Sequence, residues 1–257
     1  MEPKQHQHES DILAYYGGDR SRTRITGTLP GKGVFVLFGN RSGSNYLVDL
    51  MKRIPSVSMR HEIFNAVNVQ KMSDQHSLHG FEDYVRFMRR DCKTVHWGAK
   101  IGCIQLDMLH RFGLLDAFEG GSSIIWIKRR NIIAQAISHY IAHHNQQWAS
   151  FHEAKGEMPE YDFDAIERIV MSCIKHNSDA ELSLTVLNKS YHTVWYEDLI
   201  KKPFVTIRRI AVFIDEPFDK LGKRKSMFQK QAHSAKDEFE SRFREDARKK
   251  LGLNFTL

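Results

Sequence analysis

Between Gly33 and Leu47 the chain reads Gly-Val-Phe-Val-Leu-Phe-Gly-Asn-Arg-Ser-Gly-Ser-Asn-Tyr-Leu, and no other stretch limits the fold as much. Residues 34 to 38 form an unbroken apolar run between glycines, the pattern of a parallel strand covered on both faces. The polar turn after Gly39 lets backbone N–H groups converge on an anion, and a helix starting near Ser44 adds the positive end of its dipole. Strand, turn and helix start together make a place to hold a phosphate or sulfate. The turn is not a Walker A loop, because Ser44-Asn45 follow Gly43 where a nucleoside triphosphatase carries Lys and then a metal-binding Ser or Thr. Its one side-chain cation is Arg41. A donor less highly charged than a triphosphate, needing no metal, suits such a loop better.

The rest of the chain alternates strands with helices. Ser44 to Ile54 puts Leu47, Leu50, Met51 and Ile54 on one helical face before Pro55 stops it. The β-prone Ser56–Met59 leads into a polar knot, Arg60 to Asn65, at a strand end. Residues 66 to 92 read as a helical or irregular insertion whose buried side is Phe81, Tyr84, Val85, Phe87 and Met88. Val95–Ile101 reads as a second strand or a strand edge, and Ser123–Ile127 as a third strand followed by Lys128-Arg129-Arg130. In the helix that comes next, through about His144, Asn131, Gln135 and Ser138 share one face opposite an isoleucine-rich stripe. A long helix over 163–187, a strand over 193–196 and a helix from Pro203 to about Phe213 complete the pattern. The charged C-terminal stretch is expected to anchor through Phe228, Phe239, Phe243 and Leu251. Residues 1–30 read as a polar arm, and residues 31–257 as a single domain.

This alternation predicts an α/β fold, a parallel sheet flanked by helices, with ligands at the carboxyl ends of the strands. The loop at 39–45, Glu62, Lys100 and Arg129-Arg130 all fall at such ends. A formal charge of +7 favours anionic ligands, but no aromatic-rich basic motif, zinc-finger spacing or recognition helix points to nucleic acid. Cys92, Cys103 and Cys173 are too few and too scattered for a disulfide framework or a cysteine-based zinc site and read as reduced thiols. His139, His143 and His144 have helical spacing that could suit a metal, yet no carboxylate or cysteine completes a ligand set within that helix. With no apolar signal core and no apolar run of transmembrane length, a cytoplasmic protein without stable membrane insertion is expected.

An anion loop at one strand end and a double arginine at another suggest a nucleotide with phosphate at two separate positions. On these residues the sequence resembles the sulfotransferases that use 3′-phosphoadenosine 5′-phosphosulfate (PAPS), most closely the bacterial trehalose-sulfotransferase-like family, with nodulation-factor sulfotransferases as relatives. Arg41-Ser42-Gly43-Ser44 resembles the family's loop for the 5′-phosphosulfate, and His61-Glu62-Ile63-Phe64 its Glu-Phe-Phe patch with the proposed catalytic base. Trp97 to Lys100 is similar to its Gly-Gly-Lys segment, and Arg129-Arg130-Asn131 through Ser138, with Trp148 beyond, to its 3′-phosphate segment. Tyr196-Glu197-Asp198-Leu199 resembles a strand end common across sulfotransferases, read as architectural, and Gln231-Ala232 resembles the family's C-terminal region. The chain departs from the family at Asn40, where relatives often have Pro or Gln, and at Asn45, where Thr is common.

The resemblance implies a P-loop-like sulfotransferase fold and in-line transfer of a sulfuryl group from PAPS to a hydroxyl of a carbohydrate or glycolipid, leaving 3′-phosphoadenosine 5′-phosphate (PAP), with no metal. It implies Glu62, Arg41 and Lys100 as catalytic residues, His61 being the alternative base. For the donor it implies Arg41, Ser42, Gly43, Ser44, Asn45, Arg129, Arg130, Ser138 and Gln231. Spacing to Ser138 favours Arg130 for the 3′-phosphate and direct alignment favours Arg129. Acceptor specificity is expected in 66–92 and 143–162, and since relatives are often dimers, a homodimer is among the implied partners. Two other classes remain: an ATP-dependent kinase, which the missing Gly-Lys-Ser/Thr argues against and Mg²⁺ dependence would mark, and a non-catalytic nucleotide or glycan binder, which would lose nothing on Glu62→Gln.

Overall fold

The computed structural model of the chain describes residues 6–146, 156–216, 218 and 234–253. Its first half runs α1 (Gln7–Tyr15), α2 (Arg20–Thr23), β1 (Lys32–Phe38), α3 (Ser44–Met51), β2 (Val57–Arg60), α4 (Ala66–His76), α5 (Phe81–Arg89), β3 (His96–Gly102) and α6 (Cys103–Arg111). After a short turn of 3-10 helix at Leu114–Asp116 come β4 (Ser122–Lys128), α7 (Ile132–Asn145), α8 (Phe163–Val186) and β5 (Tyr191–Trp195). Then follow α9 (Tyr196–Lys201), α10 (Pro203–Phe213) and α11 (Ser234–Lys250).

The strands form one sheet in the order β2-β3-β1-β4-β5, every neighbouring pair parallel. Because successive side chains in a strand point to opposite faces, the continuous apolar run of β1 feeds two cores. Phe35 and Leu37 join Trp97, Ile101 and Trp126 in a layer covered by α1, α5 and α6. Val34, Val36 and Phe38 join Ile125 and Ile127 under α3 and α10. A third cluster packs Ile137 and Tyr140 of α7 against Ile166 of α8 and Phe239 and Phe243 of α11. All five strands point their carboxyl ends the same way, so the loops after β1, β2, β3 and β4 emerge along one edge.

Several segments differ from expectation. The supposed polar arm carries α1, whose Ile12, followed by Tyr16, is buried in the main core. One apolar turn among charges is too short to register as periodicity, yet Glu9, 1% exposed, fixes the helix through a bidentate ion pair with Arg111. Tyr16 and Ser73 hydroxyls lie 2.9 Å apart, adding a second tie. The insertion at 66–92, by contrast, takes the helical of its two expected forms, as α4 and α5, with Phe81, Tyr84 and Val85 fully buried as expected. Helix α6, not anticipated, starts at once from β3, with Gln105 Oε1 accepting from the Gly102 N–H at 2.8 Å. Phe239 and Phe243 anchor α11, whereas Leu251 is 69% exposed and anchors nothing. Phe228 lies outside the described residues. No described helix is long and apolar enough to cross a membrane.

Gly98 of β3 lies opposite Val34 of β1 with no room for a side chain. A Cβ there would meet the Val34 carbonyl oxygen at 1.6 Å. Backbone in mid-sheet cannot yield, so Gly98→Ala is expected to cost at least the ~3 kcal/mol upper range of overpacking. A urea midpoint lowered accordingly, or loss of folded protein, is the expected result.

Candidate active site

The loop after β1 is a strained turn ending in a helix start. Arg41 has φ 62 and Gly43 φ 91, so two residues sit in the left-handed region that L side chains seldom adopt. At Gly43 a Cβ would also strike the Tyr196 ring at 2.4 Å, which reserves the position for glycine twice over. The Ser42 N–H is committed to the Gly39 carbonyl at 3.2 Å, against the expectation that it faces a ligand. Leu47 N–H makes the bond back to the Gly43 carbonyl, so the N–H groups of Ser44, Asn45 and Tyr46 precede the helical ladder. Ser42 and Ser44 are 1% and 6% exposed, and the Ser42 hydroxyl has no hydrogen-bond partner within the described chain.

Beside the loop, β2 and β3 deliver a carboxylate and an ammonium. Lys100 is not a solvated strand-end charge: it is 3% exposed, with Nζ 4.4 Å from the centre of the Phe38 ring. Its Nζ lies 2.7 Å from Glu62 Oε1 and donates to Asn45 Oδ1 at 2.5 Å, joining the carboxylate to the loop. Glu62 Oε2 accepts from Asn65 Nδ2 at 3.1 Å, and Asn65 Oδ1 accepts from the buried Gln105 Nε2 at 2.8 Å. Burial alone would raise the Glu62 carboxyl, but the charge and hydrogen bond of Lys100 and the Asn65 amide together hold it below the usual carboxylate range. Burial also pulls Lys100 below the ordinary lysine value despite Glu62. His61 is pushed down to about 4 by desolvation and by the Lys52 and Lys100 ammoniums. Its Nε2 lies 3.1 Å from Lys52 Nζ.

On the other side of the loop the polar face of α7 meets it. Gln135 Nε2 donates to the Asn40 carbonyl at 2.7 Å and Arg41 Nε to Ser138 Oγ at 3.1 Å, as the shared face predicts. The two adjacent arginines part company. Arg129 turns inward, its Nη1 donating to the Arg41 carbonyl at 3.4 Å and its guanidinium 4.2 Å from the Tyr196 ring centre. Its Nε is buried without a partner in the described chain. Arg130 is exposed and forms a bidentate pair with Asp198 at 2.9 and 2.7 Å. Glu197 accepts from the Arg130 and Asn131 backbone N–H groups at 3.1 and 3.3 Å, which makes Glu197-Asp198 the architectural clamp expected. Tyr196 contributes its ring to the site side of that clamp.

Lys236 of α11 enters this group unannounced by any sequence signal, one lysine in a densely charged stretch. Burial, then the nearby Arg41 and Arg129, push its ammonium down to about 8. Arg41 and Arg129 are themselves lowered, chiefly by burial, Arg41 also by Arg129. Arg41, Arg129 and Lys236 thus come close enough to disfavour one another's charge, beside a buried hydroxyl and a guanidinium Nε without a partner among the described residues.

Thus Arg41, Gly43, Ser44, Asn45, Glu62, Lys100, Arg129 and Ser138 come together, and Arg130 stands apart. Gln231 and Trp148 lie outside the described residues. Asn65 and Gln105 were passed over by the sequence reading, although Asn65 closes the polar knot after β2. Among the described residues no three His, Cys, Asp or Glu side chains gather as a metal-ion cluster, His139 and His143 included. Cys92, Cys103 and Cys173 are free thiols.

No match is found among the curated protein sequences. Among solved structures, the chain is similar to the sulfotransferase domain of the Synechococcus PCC 7002 olefin synthase, at 14% identity and TM-score 0.50 over 76% of this chain and 77% of that one. It is similar to the sulfotransferase domain of the curacin biosynthetic pathway at 15% identity and TM-score 0.50, covering 82% and 83%. A sulfotransferase from Alicyclobacillus acidocaldarius gives 15% identity and TM-score 0.50, covering 87% and 96%. These likenesses identify the fold, the P-loop-like sulfotransferase fold. The family described as Stf0 sulphotransferase matches residues 105–246, more than half of the sequence. With that match, on that fold, the chain belongs to the Stf0 sulphotransferase family.

Proposed function

We propose that the chain transfers a sulfuryl group from PAPS to a hydroxyl of a carbohydrate or glycolipid, with Glu62 as general base and no metal. The observation that carries the reading is the Lys100 ammonium held between Glu62 at 2.7 Å and Asn45 of the anion loop at 2.5 Å. It supports a base beside the loop that, in this reading, takes the phosphosulfate. Support for the donor comes from the buried, partnerless Ser42 Oγ and Arg129 Nε, which an anion would satisfy.

PAPS supplies the sulfuryl group on a phosphate leaving group. Arg41, the Ser44 hydroxyl and the N–H groups at the start of α3 hold the phosphosulfate, while Arg129, Ser138 and Lys236 hold the 3′-phosphate. Glu62 takes the acceptor's hydroxyl proton as the oxygen–sulfur bond forms and the sulfur–oxygen bond to the phosphate breaks. Arg41, Lys100 and the loop N–H groups meet the negative charge left on that phosphate. Glu62 is ionised at neutral pH, as a base must be, because Lys100 and Asn65 outweigh its burial. Transfer of sulfur-35 from labelled PAPS to a saccharide in EDTA tests this reading; bound PAP with no label transferred would contradict it.

Asn65 then acts as a positioning residue. In Asn65→Ala one of the interactions that lower the Glu62 pKa is lost, so the acid limb of kcat/KM moves to higher pH. About tenfold of kcat goes with it, the scale of one hydrogen bond to a charged group. A reduced kcat with an unmoved limb would make Asn65 merely structural.

A further inference from the structure

A pocket of about 200 Å³ opens between the loop and α6, lined by Gly39 and Asn40 on one side and by Glu62, Asn65 and Gln105 on another. Two histidines from distant elements, His8 of α1 and His176 of α8, close it. Its size is that of six or seven water molecules at about 30 Å³ each, below the ~300 Å³ where sites for drug-sized ligands begin. One ring fits, and the remainder of a larger molecule would lie outside.

The lining also limits charge. Among the described residues of the lining, Glu62 is the one carboxylate, paired with Lys100, and there is no Lys or Arg, so a cationic group finds no unpaired carboxylate and an anionic group no lysine or arginine there. A flat aromatic ring fares no better. Among the described residues Phe38 is the one aromatic hydrocarbon ring of the lining, and Lys100 Nζ lies over it.

Hydrogen-bonding capacity is left over at the histidines. The amides of Gln105 and Asn65 are largely spent on each other, on Gly102 and on Glu62. His8 Nδ1 accepts from the Ala66 N–H at 3.4 Å, so the neutral ring carries its proton on Nε2 as a donor. The helix that presents it is rigidly seated: Glu9, next in sequence, is buried on Arg111, and Ile12 is in the core. This gives α1 a reason to be built into the fold.

Resting on the sulfotransferase reading above, we propose that His8 and His176 bind the acceptor, and that the pocket takes one neutral, hydroxyl-bearing ring with a hydroxyl at Glu62. The N-terminal helix is then part of the acceptor site and a determinant of specificity.

The test uses the full chain with labelled PAPS and four probes: glucose, trehalose, 4-nitrophenol and the cationic tyramine. The expected result is saturable transfer to a sugar, with the sugar KM raised about tenfold in His8→Ala and in His176→Ala, the scale of one lost hydrogen bond. His8→Gln, which keeps a donor, should recover part of that rise. PAP affinity by calorimetry should stay at the wild-type value in both alanine variants, as should the thermal midpoint of His176→Ala, while His8→Ala gives up the Ala66 N–H bond and melts somewhat lower. Unchanged sugar KM in both alanine variants, or preference for 4-nitrophenol or tyramine, overturns the proposal. Failure to sulfate any of the sugars while PAP binds overturns the carbohydrate reading of the function, and this proposal with it. If wild-type protein fails to bind PAP, the underlying donor reading has failed instead, and the acceptor proposal falls with it.

Discussion

Glu62→Gln is expected to lower kcat by about 10²–10⁴-fold, the range assigned to a positioned general base, while PAP binds as before. The substitution keeps the shape of the side chain and one oxygen, which can still accept from Lys100 at the 2.7 Å position, while its NH2 replaces the oxygen that accepts from Asn65 at 3.1 Å, so that one contact is given up. What goes is the proton acceptor. Lys100 loses its counter-charge while 3% exposed, and a buried ammonium left without its partner is costly, although Glu62 itself is partly exposed. Asn45 Oδ1 still holds the ammonium and the Phe38 ring still faces it, so a lowered thermal midpoint with a folded, PAP-binding protein is the expected picture. His61→Ala should retain turnover, since His61 Nε2 is engaged with Lys52.

The pH dependence has a defined sign. Glu62 has its pKa lowered in the folded chain, so its contribution to stability is present above the unfolded carboxylate pKa and is lost as pH falls through the folded value. Activity should follow the same group: level through neutral pH, falling only below the ordinary carboxylate range. An acid limb near neutral pH would point to another base.

The second large effect separates two neighbours. Arg129→Ala is expected to weaken PAP binding at least about thirtyfold, from the ~2 kcal/mol or more that removal of a buried charged partner costs. Arg130→Ala should leave it unchanged. Arg129 is partly buried between Tyr196 and the Arg41 carbonyl with a partnerless Nε, whereas Arg130 is exposed and already paired with Asp198. Calorimetric titration of both variants with PAP decides it. Equal losses, or a loss confined to Arg130→Ala, would refute the assignment.

Much of this architecture is legible in the residues. The five apolar residues of β1 between glycines announce a doubly covered strand, and the sheet places Glu62, Lys100 and Arg129 at neighbouring carboxyl ends because β2, β3 and β4 are all parallel to it. The i, i+4, i+7 face of α7 does meet the loop through Gln135 and Ser138. What could not be read depends on contacts between elements far apart in sequence. Arg129 and Arg130 are chemically identical neighbours, and only the clamp of Glu197-Asp198, 67 residues on from Arg130, sorts one outward. Lys236 and His8 sit in charged stretches that look like solvated surface until α11 and α1 dock by Phe239 and Ile12. Lys100 looks like a surface charge because burial is invisible in a single letter.

The most direct test of the central claim, that this site holds a nucleotide with a 3′-phosphate and does so without a metal, is calorimetric titration of the wild-type chain with PAP in EDTA, with ATP as competitor. The account predicts saturable binding of PAP that ATP fails to displace at equal concentration and that Arg129→Ala weakens at least about thirtyfold. Absence of PAP binding, or a preference for ATP that requires Mg²⁺, would contradict it.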